Sequence, residues 1–174
     1  MKIQALIAAG LLITSPALAA SVWASPAWAE APKPANAPVV SPDGSLFKAF
    51  GGHDGLVRVV DDLFVNVDSD DRIKGFFQAS KRAHTKAMLV EQFCQITGGG
   101  CVYSGQDMAA SHRELGITKA DFDALVEDLQ KAMTRNNVSF SAQNRLLAAL
   151  APQNRAIVYH PTAADAATSG PVKP

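Results

Sequence analysis

The stretch MAASHRELGIT, residues 108–118, sets a single histidine, His112, at the close of a short apolar segment, with a glycine and a helix-start signal just beyond it. A neutral imidazole is the side chain that proteins most often offer to a metal. A lone histidine near a helix end can equally be structural or solvated, so local pattern leaves His112 open. Cys94 and Cys101 are the only cysteines. The intervening QITGGG is flexible enough to bring their Cα atoms into disulfide range, and an oxidising compartment would permit the bond; two free thiols are the alternative. Neither cysteine has partner cysteines or histidines at zinc-finger spacing. His53 lies at a turn and His160 near the end of the chain, and both read as solvated.

These groups sit in a chain of 174 residues, about one domain's worth, with 16 basic and 16 acidic side chains. That balance leaves no basic excess to neutralise phosphates, so nucleic acid is not expected as a partner. The apolar excess is concentrated at the start. Lys2 precedes IQALIAAGLLI, then small residues and prolines, which is the pattern of a secretory signal peptide. Cleavage is expected after Ala29, with Ala19 as the alternative. The run is short of the roughly 20 residues a spanning helix needs, so no membrane is expected in the mature form. The division expected is a signal peptide over 1–29, a Pro/Ala-rich linker over 30–44, one domain over 45–158 and a flexible tail over 159–174.

The domain reads as helices. Leu56, Val59, Val60, Leu63, Phe64 and Val67 recur at steps of three and four, behind a turn at Gly51-Gly52. A second segment runs from about Lys81 to Thr97 and stops at Gly98-Gly99-Gly100. A third begins at Thr118, a good N-cap, with Ile117 and Phe122 at hydrophobic-staple spacing. The last covers about Ser141 to Val158, and Pro152 within it should kink it or start a new turn. No run of alternating strand character is present, so the fold class is all-α. About twenty residues between Gly98 and Thr118 lack apolar periodicity, and so long an irregular stretch calls for a functional reason. A small helical domain with such a loop and spare large apolar groups can enclose a flat apolar cofactor, to which His112 would supply an iron ligand. No CxxCH motif is present, which excludes c-type covalent attachment.

Six ordered pieces then carry a family resemblance: LFKAFGGHDGLVRVVDDLFVNV, DDRIKGFF, LVEQFCQITGGGC, YSGQDM, SHRELGIT and ADFDALVEDLQKAM. Together they span roughly residues 46–158, and the chain resembles a group 1 truncated haemoglobin. The resemblance implies a two-over-two helical sandwich around one non-covalent haem b, with His112 as the proximal iron ligand. It implies Phe77 packed on the haem, and Phe93, Met108, Leu115, Ile117 and Phe122 at the pocket wall. Gly51-Gly52 and Gly98-Gly99 match turns of the shortened globin fold.

The distal side departs from the pattern. Phe64 stands where many relatives have a tyrosine, and Leu89 where a glutamine often supports it; Thr85 and Met88 are their neighbours. Phe64 and Leu89 cannot donate a hydrogen bond to bound O₂, and the Thr85 hydroxyl is short. RAHTKAML resembles a segment in which a distal histidine binds iron, which makes His84 a candidate sixth ligand. Counting back from Gly98-Gly99, however, puts Met88 at that place. The expected function is reversible binding of O₂, CO or NO in a bacterial-type periplasm, with an unidentified electron donor. The alternatives are nitric-oxide dioxygenase or peroxidase-like chemistry on the same haem, six-coordinate electron transfer, and a helical module without haem.

Overall fold

The structure, a computed structural model, describes residues 38–160, and among these every regular element is a helix. The apolar start with its cleavage sites and the tail beyond His160 lie outside the described residues. No described helix is long and apolar enough to cross a membrane.

The elements are α1 (Ser45–Ala49), α2 (Gly52–Ser69), α3 (Arg82–Thr97), α4 (Met108–His112), α5 (Lys119–Arg135), α6 (Phe140–Leu150) and α7 (Asn154–Ile157), with 3₁₀ turns at Lys74–Phe76, Ala79–Lys81 and Ala151–Gln153. The expected stripe of α2 is its buried face: Leu56, Val59, Val60, Leu63, Phe64 and Val67 are all at most 2% exposed. That face packs against α3 and α5, and α6 closes the other side by meeting α3 and α5. One helix pair therefore covers another, with the core between them.

Local chemistry sets the boundaries. Gly51, at φ 82°, takes the left-handed conformation that starts α2. Thr118 caps α5 reciprocally: its hydroxyl accepts from the Asp121 backbone N–H, while the Asp121 carboxylate accepts from the Thr118 N–H at 2.9 Å. Those bonds hold the Asp121 carboxyl below its usual range. This box adds to the staple spacing of Ile117 and Phe122. Pro152 does begin a new turn after α6. The five-residue α1, placed before the glycine turn, was not anticipated; a helix that short has no periodicity to detect.

Residues 40–44, read as the end of the linker, make contacts with the helices. The Val40 N–H donates to the Ile96 carbonyl at 2.9 Å, and the Val40 carbonyl accepts from Arg145 Nη2 at 3.1 Å. Ser41 is only 1% exposed, and its hydroxyl accepts from the Leu46 N–H at 3.1 Å. The 40–44 segment is therefore tied to α3, α6 and the start of α1. The physical reason is Gly98, the left-handed C-cap of α3 at φ 83°. A Cβ there would stand 1.8 Å from the Ser41 carbonyl oxygen. Gly98→Ala should accordingly cost more than the roughly 1–2 kcal/mol of the left-handed backbone alone. A urea titration should show the midpoint fall; an unchanged midpoint would mean that the 40–44 segment does not need this contact.

Candidate functional site

His112 ends α4, a helix of five residues with no buried member. Besides its packing against α7, so short a helix is held by its ends. Asp107 caps the start, its carboxylate accepting from the Ala110 N–H at 3.0 Å. At the other end His112 Nδ1 lies 2.8 Å from the Met108 carbonyl and 2.9 Å from Ser111 Oγ. The carbonyl can only accept, so Nδ1 carries the ring proton and Nε2 is the nitrogen with a free lone pair. A metal-ligating histidine is usually fixed by this arrangement, the distal ring nitrogen donating to a backbone carbonyl.

The segment that delivers α4 is irregular and firmly tied. Three α3 residues on adjacent turns hold it: Cys94, Gln95 and Glu91. Cys94 is bonded to Cys101 in a disulfide, as the spacing permitted, and no described cysteine is free. Gln95 Oε1 accepts from the Tyr103 N–H at 2.5 Å. Glu91 accepts from the Ser104 N–H at 2.7 Å and from its hydroxyl at 2.8 Å, which lowers the Glu91 pKa. The aperiodic stretch is thus a strap set against α3. Removing the disulfide by a paired Cys94→Ser/Cys101→Ser change should cost about 2–3 kcal/mol, given the short loop it closes. A reductant should lower the urea midpoint of the natural chain and leave that of the double variant unmoved.

Another face of α3 carries Thr85, Met88, Leu89 and Gln92, at i, i+3, i+4 and i+7. Gln92 is 4% exposed and meets α4 directly, its Nε2 lying 3.9 Å from Met108 Sδ. The sequence reading did not select it. Extending the Thr85–Met88–Leu89 register by one turn would have found it. Thr85, Met88 and Leu89 are half-buried. The Thr85 hydroxyl donates to the Lys81 carbonyl at 3.1 Å, so its proton is already engaged along the helix. His84 is exposed and one residue off this row.

Phe64 and Phe77 meet edge to face, their centroids 5.5 Å apart at 82°. The corner holding Phe77 is pinned by Arg72, which pairs with Asp70 at 2.7 Å and reaches Glu127 on α5 at 2.9 Å. Lys86 Nζ and the Arg82 guanidinium lie 5.3 and 5.8 Å from the Phe64 centroid, where the ring's negative face attracts them. Phe93 and Ile117 are buried at 2% and 9% exposure, Met108 and Phe122 are half-buried, and Leu115 is 38% exposed. Helix packing alone therefore leaves Met108, Leu115 and Phe122 incompletely covered. Two surface grooves lie elsewhere, one of about 660 Å³ along α5 and one of about 510 Å³ between α2 and α3 that reaches Cys101.

The described residues gather no group of three or more His, Cys, Asp or Glu side chains able to hold a bare metal ion. One histidine suffices as the protein's ligand when a macrocycle supplies the others. His112, whose Nδ1 is engaged and whose Nε2 keeps its lone pair, fits that case.

Comparison with known proteins agrees. A family model described as bacterial-like globin matches residues 45–158. A group 1 truncated hemoglobin of Mycolicibacterium paratuberculosis is 32% identical over 108 residues, which is 62% of this chain and 79% of the relative. The chain belongs to the group 1 truncated haemoglobins. A second member, from a Synechocystis species, is 39% identical over 93 residues, covering 49% of this chain and 72% of the relative. The fold matches truncated hemoglobin from Tetrahymena pyriformis in its Fe(III) form, with a TM-score of 0.63 at 20% identity over 66% of this chain and 98% of that one. It also matches a 2/2 hemoglobin from a Synechococcus species, described with covalently attached heme, at a TM-score of 0.57 and 25% identity over 62% and 90% of the two chains. Membership of the truncated haemoglobins implies haem-based gas binding.

Proposed function

We propose that this chain holds one haem b without a covalent bond, through His112 Nε2, and reversibly binds diatomic gases there. The observation that carries this reading is the bond between His112 Nδ1 and the Met108 carbonyl, which commits the ring proton and leaves Nε2 as the available lone pair. When bound, the haem supplies a ferrous centre open to a small gas. The chain's own residues do the rest. Met108 holds the His112 tautomer, and Ser111 Oγ, itself donating to the Asp107 carbonyl at 2.9 Å, offers a second acceptor to Nδ1. Phe77 and Phe64 form an aromatic corner that excludes water. Thr85, Met88 and Leu89 face the same space from α3. Non-covalent retention is supported by the cysteines, which are bonded to each other and so present no thiol for a thioether.

The distal set favours ligands that need little polar support, namely CO and NO on ferrous iron, over tight O₂ storage. Phe64 and Leu89 have no donor, and the Thr85 proton is engaged. A nitric-oxide dioxygenase depends on a persistent oxygenated form, which these residues do not protect. Met88 keeps a second reading in view: as a half-buried thioether on the cofactor-facing row it suits a sixth ligand, hence electron transfer. Export to a periplasm, signalled by residues 1–29, and a donor that returns ferric iron to the ferrous state belong to the same proposal.

Ferric and ferrous absorption spectra of the mature protein, with and without CO, test it. The expected result is a Soret band, a five-coordinate ferrous form and a CO complex. A low-spin spectrum without added ligand would instead favour Met88 ligation. A protein that takes up no haem would end the proposal.

A further inference from the structure

We infer that Gln92, braced by Gln153, is a positioning residue for the proximal histidine, acting through Met108. This inference rests on His112 being the iron ligand. A primary amide buried at 4% exposure is costly unless it is hydrogen-bonded, and an apolar side chain could fill the same space without that cost. Gln92 Nε2 has two acceptors: Met108 Sδ at 3.9 Å and Gln153 Oε1 at 3.4 Å. Gln153 comes from the 3₁₀ turn that Pro152 starts, so its backbone is restrained. Its own Nε2 is buried and makes no hydrogen bond, so within the pair it is the Gln153 carbonyl oxygen that engages Gln92. Three elements converge here: α3, α4 and the turn after α6.

Met108 is consequently held at two points. Its sulfur faces Gln92 on α3, and its carbonyl takes the Nδ1 proton of His112. The helix α4 buries no residue fully; it packs against α7 and meets α3 at Met108, through Gln92. The strap sets its start, and Gln92 sets how its first turn faces α3. The strength of the bond from Nδ1–H to the carbonyl matters beyond orientation. A firmly accepted proton makes the imidazole a stronger donor, raising the Fe–His stretching frequency and favouring ferric iron. Loosening Met108 should do the reverse.

The test uses Gln92→Met, which keeps the volume and removes the donor, and Gln153→Met, which removes only the brace. In the ferrous protein, resonance Raman should place the Fe–His band of Gln92→Met below that of the natural chain, with the midpoint potential shifted positive. Haem transfer to apomyoglobin should be about threefold to tenfold faster, as for one lost hydrogen bond. Gln153→Met should move all three readouts the same way by less, and it carries the test alone if Gln92→Met does not fold. A role in packing only would leave the Fe–His frequency and the potential where they were, and that result overturns the inference. His112→Gly with added imidazole runs alongside. If the Fe–His band does not depend on His112, the haem reading and this inference fall together. If it does, and Gln92→Met is silent, only this inference falls.

Discussion

A His112→Ala chain is expected to purify without a Soret band while keeping its helical circular dichroism. The two halves of this result have separate causes. The apolar contacts that hold the fold, above all the α2 face against α3 and α5, do not involve His112. The helix α4 contributes no buried residue, so removing its last side chain costs the core nothing. Iron, by contrast, would lose its proposed proximal ligand. Non-covalent haem would then be retained only by apolar contact with side chains that are themselves half-covered, such as Met108 and Phe122. Equal Soret intensity per chain in the natural protein and the variant, with an unchanged ferrous spectrum, would remove His112 from the site.

The second large effect is expected on the opposite wall. Phe64→Tyr combined with Leu89→Gln puts donors where the natural chain has none. A hydrogen bond to a group carrying partial charge is worth about 1.5–3 kcal/mol, or roughly tenfold to a hundredfold in affinity. O₂ dissociation, followed by stopped flow, should therefore slow by about that factor, and the oxygenated form should autoxidise more slowly. CO, which develops little charge, should respond far less. The natural protein should autoxidise rapidly; an oxygenated form stable for many hours would mean that another donor faces the gas. Phe64 itself is 2% exposed and backed by the two cations of Arg82 and Lys86, so an added hydroxyl must find its partner on the pocket side.

Much of the fold was legible because long amphipathic helices announce themselves. The α2 stripe, the stop at Gly98 and the Thr118 start of α5 each follow from periodicity or from a cap, both properties of neighbouring residues. Short elements did not announce themselves. The five-residue α1 spans too few turns to show a period, and Val40–Gly44 looked like linker because Pro, Ala, Ser and Asp dominate its neighbourhood. What draws Val40–Gly44 against the helices is the bare backbone of Gly98, far away in the chain, against which the Ser41 carbonyl rests.

The site divides along the same line. His112 was selected from the sequence because its ordered neighbours match a family, and residue identity by itself established that Phe64 and Leu89 carry no donor. The pairing of Cys94 with Cys101 was allowed by their spacing. Other features needed the chain to be folded. Only the packing of the strap on α3 shows that Glu91, Cys94 and Gln95 grip one segment. The engagement of the Thr85 proton depends on the helix bringing the Lys81 carbonyl within 3.1 Å. The exposure of His84 depends on which way α3 is turned. Gln92 looked like one more polar helix residue until α4 and the turn at Gln153 closed on it.

By itself, then, the sequence determined the helices, the imidazole and the lack of a donor at Phe64 and Leu89, since these depend on residue type and on spacing within a few turns. The tertiary structure decided which ring nitrogen of His112 is free, which hydroxyl is spent and which amide is buried. Those outcomes depend on hydrogen-bond partners and on solvent exclusion, both set by how the folded segments come together.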